Sequence, residues 1–146
     1  MVILTVVAGL PGSGKSAYAK TFELPIFEAD QYFMKYDTFA NRFVYKFDAN
    51  KLKQAHDACF ENVRNCLAQG ISCVVANTFT KRWEVVRYLE LSADKINIYR
   101  CEGRFKNVHN VPGDAILRMK DNIEKIQGEM RLGHQELLSM KNENLS

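Results

Sequence analysis

VILTVV, residues 2–7, is apolar but for Thr5 and shows no alternation, which predicts a central parallel strand covered on both faces. A glycine-rich loop follows, and KSAYAKTF then predicts a helix that ends before Pro25. IFEA, 26–29, predicts a short second strand finishing at Asp30. Between Asn50 and Gln69 the apolar positions Leu52, Ala55, Cys59, Val63, Cys66 and Leu67 recur at helical spacing, with Asp48 or Asn50 as cap and Gly70 at the C′ position. ISCVVA, 71–76, reads as another buried strand, and Thr78 or Thr80 caps a helix carrying Val85, Val86 and Leu89. KINIYRC, 95–101, alternates and predicts a strand nearer a sheet edge. Pro112 opens a helix with Ile116, Met119, Ile123, Ile126 and Met130 on one stripe, and a polar tail follows Gly133. Strands alternating with helices predict an α/β domain: a small parallel sheet of four to five strands with helices on both faces.

Composition bounds this picture without redirecting it. At 146 residues the chain fits one domain, residues 1–146, and 47% hydrophobic with 25% charged residues is ordinary for a soluble globular protein. The net charge of +3 permits an anionic partner, but a dedicated nucleic-acid binder carries a denser basic face. Cys59, Cys66, Cys73 and Cys101 form no CxxC pair and no metal spacing, so no disulfide partner is expected and a reduced, cytoplasmic setting fits. The N-terminal apolar run lacks a basic leader and is too short to span a bilayer, so no membrane role is expected. No pattern specifies an oligomeric state.

The loop GLPGSGKS, residues 9–16, changes the picture most. Gly9, Gly14, Lys15 and Ser16 satisfy G-x-x-x-x-G-K-[ST], between a buried strand and a helix. Gly9, Gly12, Ser13, Gly14 and Ala17 surround the expected triphosphate, Lys15 reaches its β- and γ-phosphates, and the Ser16 hydroxyl holds Mg²⁺. ATP and Mg²⁺ are therefore the expected cofactors, and the fold narrows to a P-loop NTPase or kinase. A motor or GTPase would show a strand ending in an aspartate, whereas ISCVVA ends at Ala76 and Asn77, and no N-K-x-D guanine reader is present.

A small phosphotransferase needs a carboxylate to take the acceptor proton and a cationic lid over the γ-phosphate. Asp30 is the candidate base, with helix capping as its alternative role. Glu28 precedes it inside the strand and is expected to be less exposed to the cleft. EGRFKNVHN, 102–110, is the candidate lid, with Arg104 and Lys106 as cations, Gly103 as hinge and His109 as a structural hydrogen-bonder. Arg118 either stacks on adenine, braces the lid or faces solvent. Residues 31–47 hold seven aromatics among Lys35, Arg42 and Lys46, which suits either stacked bases on a phosphate backbone or a lid packing on its own domain. Tyr32, Phe33, Arg42, Lys106 and Asn77 are the candidate lid and acceptor residues.

GLPGSGKS, EADQYF, YKFDANKLKQAHDAC, GISCVVANTFTKRWEVVRYLELS and NVHNVPGDAILRMK occur in an order that resembles the P-loop kinase branch containing the 5′-kinase domain of bacteriophage polynucleotide kinase. The kinase-like domains of Nedd-binding proteins and their phage counterparts are the nearer resemblance, over roughly residues 2–128. It implies ATP-dependent phosphorylation, with the 5′-hydroxyl of DNA or RNA as the leading acceptor; a nucleoside or nucleotide kinase, or a non-catalytic ATP-binding module that recruits a partner, is the alternative. It also implies Asp30 as general base, Lys15 and Ser16 in the P-loop, and Arg104 with Lys106 as lid cations. The chain departs from the pattern at Phe33, where the phage kinase has an acceptor-side arginine, and at Ala76, where an aspartate is common. The first departure bears on the acceptor. The second bears on Mg²⁺, for which Asn77 or Asp30 would substitute through water.

Overall fold

A computed structural model describes residues 1–105, 123, 124, 126 and 128–144, the side chains of 141–144 excepted. Lys106, His109 and the predicted helix from Pro112 through residue 122, with Ile116, Arg118 and Met119, lie outside the described residues; Ile123 and Ile126, expected on the same stripe, are described and are not helical.

The chain runs β1 (Ile3–Gly9), α1 (Lys15–Lys20), β2 (Ile26–Phe27), a 3₁₀ turn (Ala29–Phe33), β3 (Met34–Asp37) and β4 (Arg42–Tyr45). A second 3₁₀ turn (Ala49–Lys51) leads into α2 (Leu52–Ala68), β5 (Cys73–Asn77), α3 (Arg82–Leu89), β6 (Lys95–Glu102), β7 (Met130–Gly133) and α4 (His134–Asn144). Five strands form one sheet in the order β2-β5-β1-β6-β7, and every pairing in it is parallel. The central strand is thus the one whose apolar run shows no alternation.

Both faces of that sheet are covered, as the non-alternating apolar strands require. Leu4, Val6, Ala8, Cys73, Val75 and Ile98 pack against α2 and α3 through Ala55, Cys59, Val63, Val85 and Tyr88. Val7, Val74, Ala76 and Cys101 face the other way, onto Ala19 of α1 and Leu137 of α4. All four cysteines are free and buried, and burial raises the Cys73 and Cys101 thiols to about 12. Among the described residues no helix is long and apolar enough to cross a membrane.

Local signals account for the element ends. Asp48 accepts a hydrogen bond from the Asn50 backbone N–H ahead of α2, and Gly70, at φ 77°, follows its end. β6 lies next to the edge strand, as its alternation suggests, with β7 pairing outside it only along Tyr99–Glu102. Met130, expected on a helical stripe, begins that strand, and the expected polar tail is a helix held down by buried Leu137.

One buried ion pair ties these late elements together. Arg100 on β6 meets Glu129 at 2.9 Å, with side chains 2% and 5% exposed. The same guanidinium donates to the Phe79 carbonyl at 3.0 Å. It therefore links the loop after β5 to the approach to β7.

Candidate active site

The C-terminal ends of parallel strands share one edge of a sheet, and the point where strand order diverges from β1 is where such folds place ligands. Here β1 runs out at Gly9 between β5 and β6, so the loop at 9–16 opens at that point. Gly12 and Gly14 adopt φ 81° and 92°, a left-handed backbone that a side chain would strain. Gly14 precedes α1 without a side-chain cap, leaving the first-turn N–H groups of that helix for an anion. A Cβ on Gly9 would sit 2.2 Å from the Ser13 Oγ, so the loop closes over that position. Ser13 itself is buried, and its N–H donates to the Leu10 carbonyl at 3.0 Å. It shapes the loop more than it presents a donor. Lys15 and Ser16 are half-buried at the start of α1, while Ala17 is exposed.

The carboxylates sort themselves differently from the expectation. Glu28 is half-buried like Asp30, not less exposed, and its Oε1 accepts the Ser16 hydroxyl at 3.4 Å. Beyond Phe27 the chain leaves the strand and turns through the 3₁₀ segment, which re-aims successive side chains. Asp30 lies in the first turn of that segment, half-buried, and its Oδ1 accepts the Tyr45 hydroxyl at 3.1 Å. Burial, then the Asp30 charge, push the Tyr45 phenol up to about 12, so it stays a donor to that carboxylate. The long-range contact from Tyr45 is invisible to local sequence patterns.

Two expected acceptor residues turn out to be structural. Asn77 is buried at the end of β5, and its Oδ1 accepts the Ala29 N–H at 2.8 Å. Its Nδ2 reaches the Cys59 sulfur at 3.7 Å, so the amide pins the 3₁₀ turn to the end of β5 and to α2. Phe33 is 1% exposed and packs among Tyr32, Tyr45 and Phe47. It forms part of the wall of the adjoining cavity. Tyr32 is half-buried with Lys35 Nζ 4.9 Å from its ring centre, and Arg42 is exposed on β4 opposite Asp37. Beside the 3₁₀ turn lies a cavity of about 380 Å³ lined by Tyr32, Phe33, Phe47, Lys35, Lys46, Lys51 and Asp48.

The start of the lid segment is fastened to the P-loop. Gly103 N–H donates to the Ser13 carbonyl at 3.0 Å and Phe105 N–H to the Gly12 carbonyl at 2.7 Å. Arg104 N–H donates to His134 Nδ1 at 2.9 Å, and the Phe105 ring lies against the His134 ring at 4.6 Å. The Arg104 residue is exposed beside the phosphate loop. A Cβ on Gly103 would meet the Ser13 carbonyl oxygen at 2.5 Å, so this glycine allows close approach and is not a hinge. Gly103→Ala is therefore expected to cost about 1–3 kcal/mol and to weaken ATP binding, read from the urea midpoint and the ATP Kd.

His56 on α2 is a residue whose role the sequence did not suggest. Burial lowers its imidazole pKa, and Glu84, Arg87 and Asp30 are among the charges acting on it.

This arrangement, a parallel sheet with a phosphate loop at its switch point and carboxylates just beyond the end of β2, two strands away, defines a P-loop kinase-like α/β domain. The chain belongs to the AAA domain family AAA_33, which it matches over residues 4–102. It is similar to NEDD4-binding protein 2 of Homo sapiens, with 29% identity over 142 residues, 85% of this chain. The match spans only 8% of that protein's length. In fold it is similar to a sugar kinase from Janibacter sp. HTCC2649, with TM-score 0.70, 16% identity, 99% of this chain and 93% of that one. A gluconokinase from Sinorhizobium meliloti 1021 is also similar, with TM-score 0.56, 16% identity, 97% of this chain and 94% of that one.

Proposed function

We propose that the protein is an ATP- and Mg²⁺-dependent kinase that phosphorylates the 5′-hydroxyl of DNA or RNA. The observation that carries this reading is the lysine-lined aromatic cavity beside the same 3₁₀ turn that carries Asp30. A polynucleotide presents both a ring and a phosphate next to its terminal sugar, and that cavity offers partners for each. Phosphorylation of a nucleoside or nucleotide is the second reading, since the loop and Asp30 serve it equally and the fold is shared with sugar kinases.

Lys15 would neutralise the β- and γ-phosphates, and Arg104 would meet charge developing on the transferred group. The acceptor hydroxyl oxygen attacks the γ-phosphorus, the bond to the β-bridging oxygen breaks, and ADP leaves. Asp30 takes the hydroxyl proton, with the Tyr45 hydroxyl orienting its carboxylate.

The oxygen donors present suit Mg²⁺. Ser16 and Glu28 approach each other beside the loop, and among the described residues no cluster of three or more His, Cys, Asp or Glu forms a protein-only cage. Mg²⁺ typically takes one or two such ligands and completes its shell with phosphates and water. When bound it supplies charge neutralisation of the triphosphate; Ser16 and Glu28 would hold it, taking over the place given to Asn77. Glu28→Gln is accordingly expected to raise the Mg²⁺ concentration for half-maximal transfer several-fold, with little change in folding stability. A titration with MgCl₂ checks this.

Labelled γ-phosphate of ATP offered to 5′-hydroxyl oligonucleotides, nucleosides, nucleotides and gluconate tests the acceptor class. Label on oligonucleotides supports the proposal, and label confined to mononucleosides or mononucleotides transfers it to the second reading. ATP binding without transfer to any acceptor removes the kinase assignment.

A further inference from the structure

Residues 34–45 form a hairpin outside the main sheet, and the register of that hairpin decides what it displays. Met34 faces Tyr45 and Tyr36 faces Phe43 across the strands, so these four side chains share one face. The other face carries Lys35, Val44, Asp37 and Arg42.

A two-stranded hairpin is barely stable alone, and natural ones protect apolar side chains by burying them. This one does the reverse. Phe43 is 65% exposed and Tyr36 51%, while Phe39 at the tip is fully exposed. The rings are nonetheless ordered: Tyr36 and Phe43 meet edge-on at 5.4 Å, and Tyr45 and Phe47 are stacked at 6.5 Å with planes 21° apart. The hairpin is anchored by a hydrogen bond from Lys46 N–H to the Phe33 carbonyl at 2.8 Å.

The direction of the stripe matters more than its exposure. It starts near the tip with Phe43 and ends at Tyr45, whose hydroxyl bonds Asp30. Residues 31–47 also carry three cations against the single carboxylate of Asp37, which is occupied by the Phe39 and Ala40 N–H groups and by Lys46 at 3.7 Å. Lys35 and Arg42 stand on the face opposite the rings, so a strand stacking its bases on the rings meets these cations only where its phosphates pass around the edge of the hairpin.

The geometry points to a stacking track: the β3–β4 hairpin holds the first few bases of a single-stranded polynucleotide and delivers its 5′ end to Asp30. This inference rests on the polynucleotide reading above and names the strandedness and length that the site selects. Aromatic rings stack on any base, so the track selects single strands without reading sequence. A recessed end or blunt duplex keeps its terminal bases paired and engages it poorly, and a mononucleoside has no second base to place on it.

The test uses the full chain and 5′-hydroxyl oligothymidylates of one to eight nucleotides, labelled at the 3′ end, with binding measured without ATP. Affinity is expected to rise over the first three or four nucleotides. The Tyr36→Ala/Phe43→Ala variant should bind the octamer about tenfold or more weakly, with ATP affinity unchanged. Phe43→Trp should retain binding. If the double variant does not fold, Phe43→Ala alone carries the test through its mostly exposed ring. An unchanged octamer Kd in a folded variant overturns the track, even if the protein phosphorylates 5′ ends. A lost octamer affinity with no transfer to any acceptor upholds the track and defeats the kinase reading. Self-association of the wild type that the variant abolishes, with octamer affinity intact, assigns the face to a second copy and also overturns the track.

Discussion

Asp30→Asn is expected to lower phosphate transfer by about 10²-fold or more while leaving ATP affinity nearly unchanged. Asparagine keeps the size of the side chain and still accepts the Tyr45 hydroxyl through its carbonyl oxygen, so the 3₁₀ turn should persist. What disappears is the capacity to take a proton from the acceptor hydroxyl. Asp30 contacts no described residue of the P-loop through its side chain, whereas Glu28 does, and this separates the two carboxylates. Kinetics at saturating ATP, paired with equilibrium ATP binding, should show kcat falling and the ATP Kd steady. Undiminished kcat would remove Asp30 from the chemistry, and a lost ATP Kd would reassign it to the nucleotide.

Glu129→Leu is expected to destabilise the fold by about 3–5 kcal/mol, the cost of leaving a buried charge without its counterion. Arg100 is 2% exposed and would keep only the Phe79 carbonyl among the described residues, because its Nη1 already has no partner there. Such a loss is a large share of a typical 5–15 kcal/mol stability. Arg100→Met should cost less. It removes the cation and leaves Glu129 paired with Arg131 at 3.3 Å, on a side chain that reaches solvent. The double variant should recover much of the loss, since paired removal leaves no uncompensated charge. Urea midpoints of the three variants check the order, and a Glu129→Leu variant as stable as the wild type would show that the pair is not buried as described.

The sequence made the centre of the fold legible and the cleft only partly so. β1 and β5 announce themselves because strands covered on both faces need apolar residues at every position. α2 shows because one face repeats at helical spacing between a cap and Gly70. β7 is hidden: of MRLG only Leu132 is buried, and its placement depends on pairing with β6 far away in sequence. Leu137 alone anchors α4 among the residues described as buried there, too sparse a stripe to stand out from a polar tail.

In the site, the P-loop was legible because its geometry is local and demands particular glycines. The roles of Glu28 and Phe33 were not, because a 3₁₀ turn sets which way each side chain points and period-two reasoning fails there, and that of Asn77 was not, because its partner Ala29 is 48 residues away in sequence. Gly103 was misread for a related reason. Its importance is a 2.5 Å approach to another loop, which no neighbour in sequence reports. The aromatic segment admitted two readings, and what separates an inward Phe33 from an outward Phe43 is that the first closes the 3₁₀ turn against the core while the second lies on the hairpin.

The most direct test of the central proposal is transfer from γ-labelled ATP to one oligonucleotide in two forms, with a free 5′-hydroxyl and with a 5′-phosphate already present. The proposed reaction predicts label only on the first, in a 5′-phosphomonoester that Asp30→Asn fails to form. Label on both forms, or on neither while ATP binds normally, would contradict it.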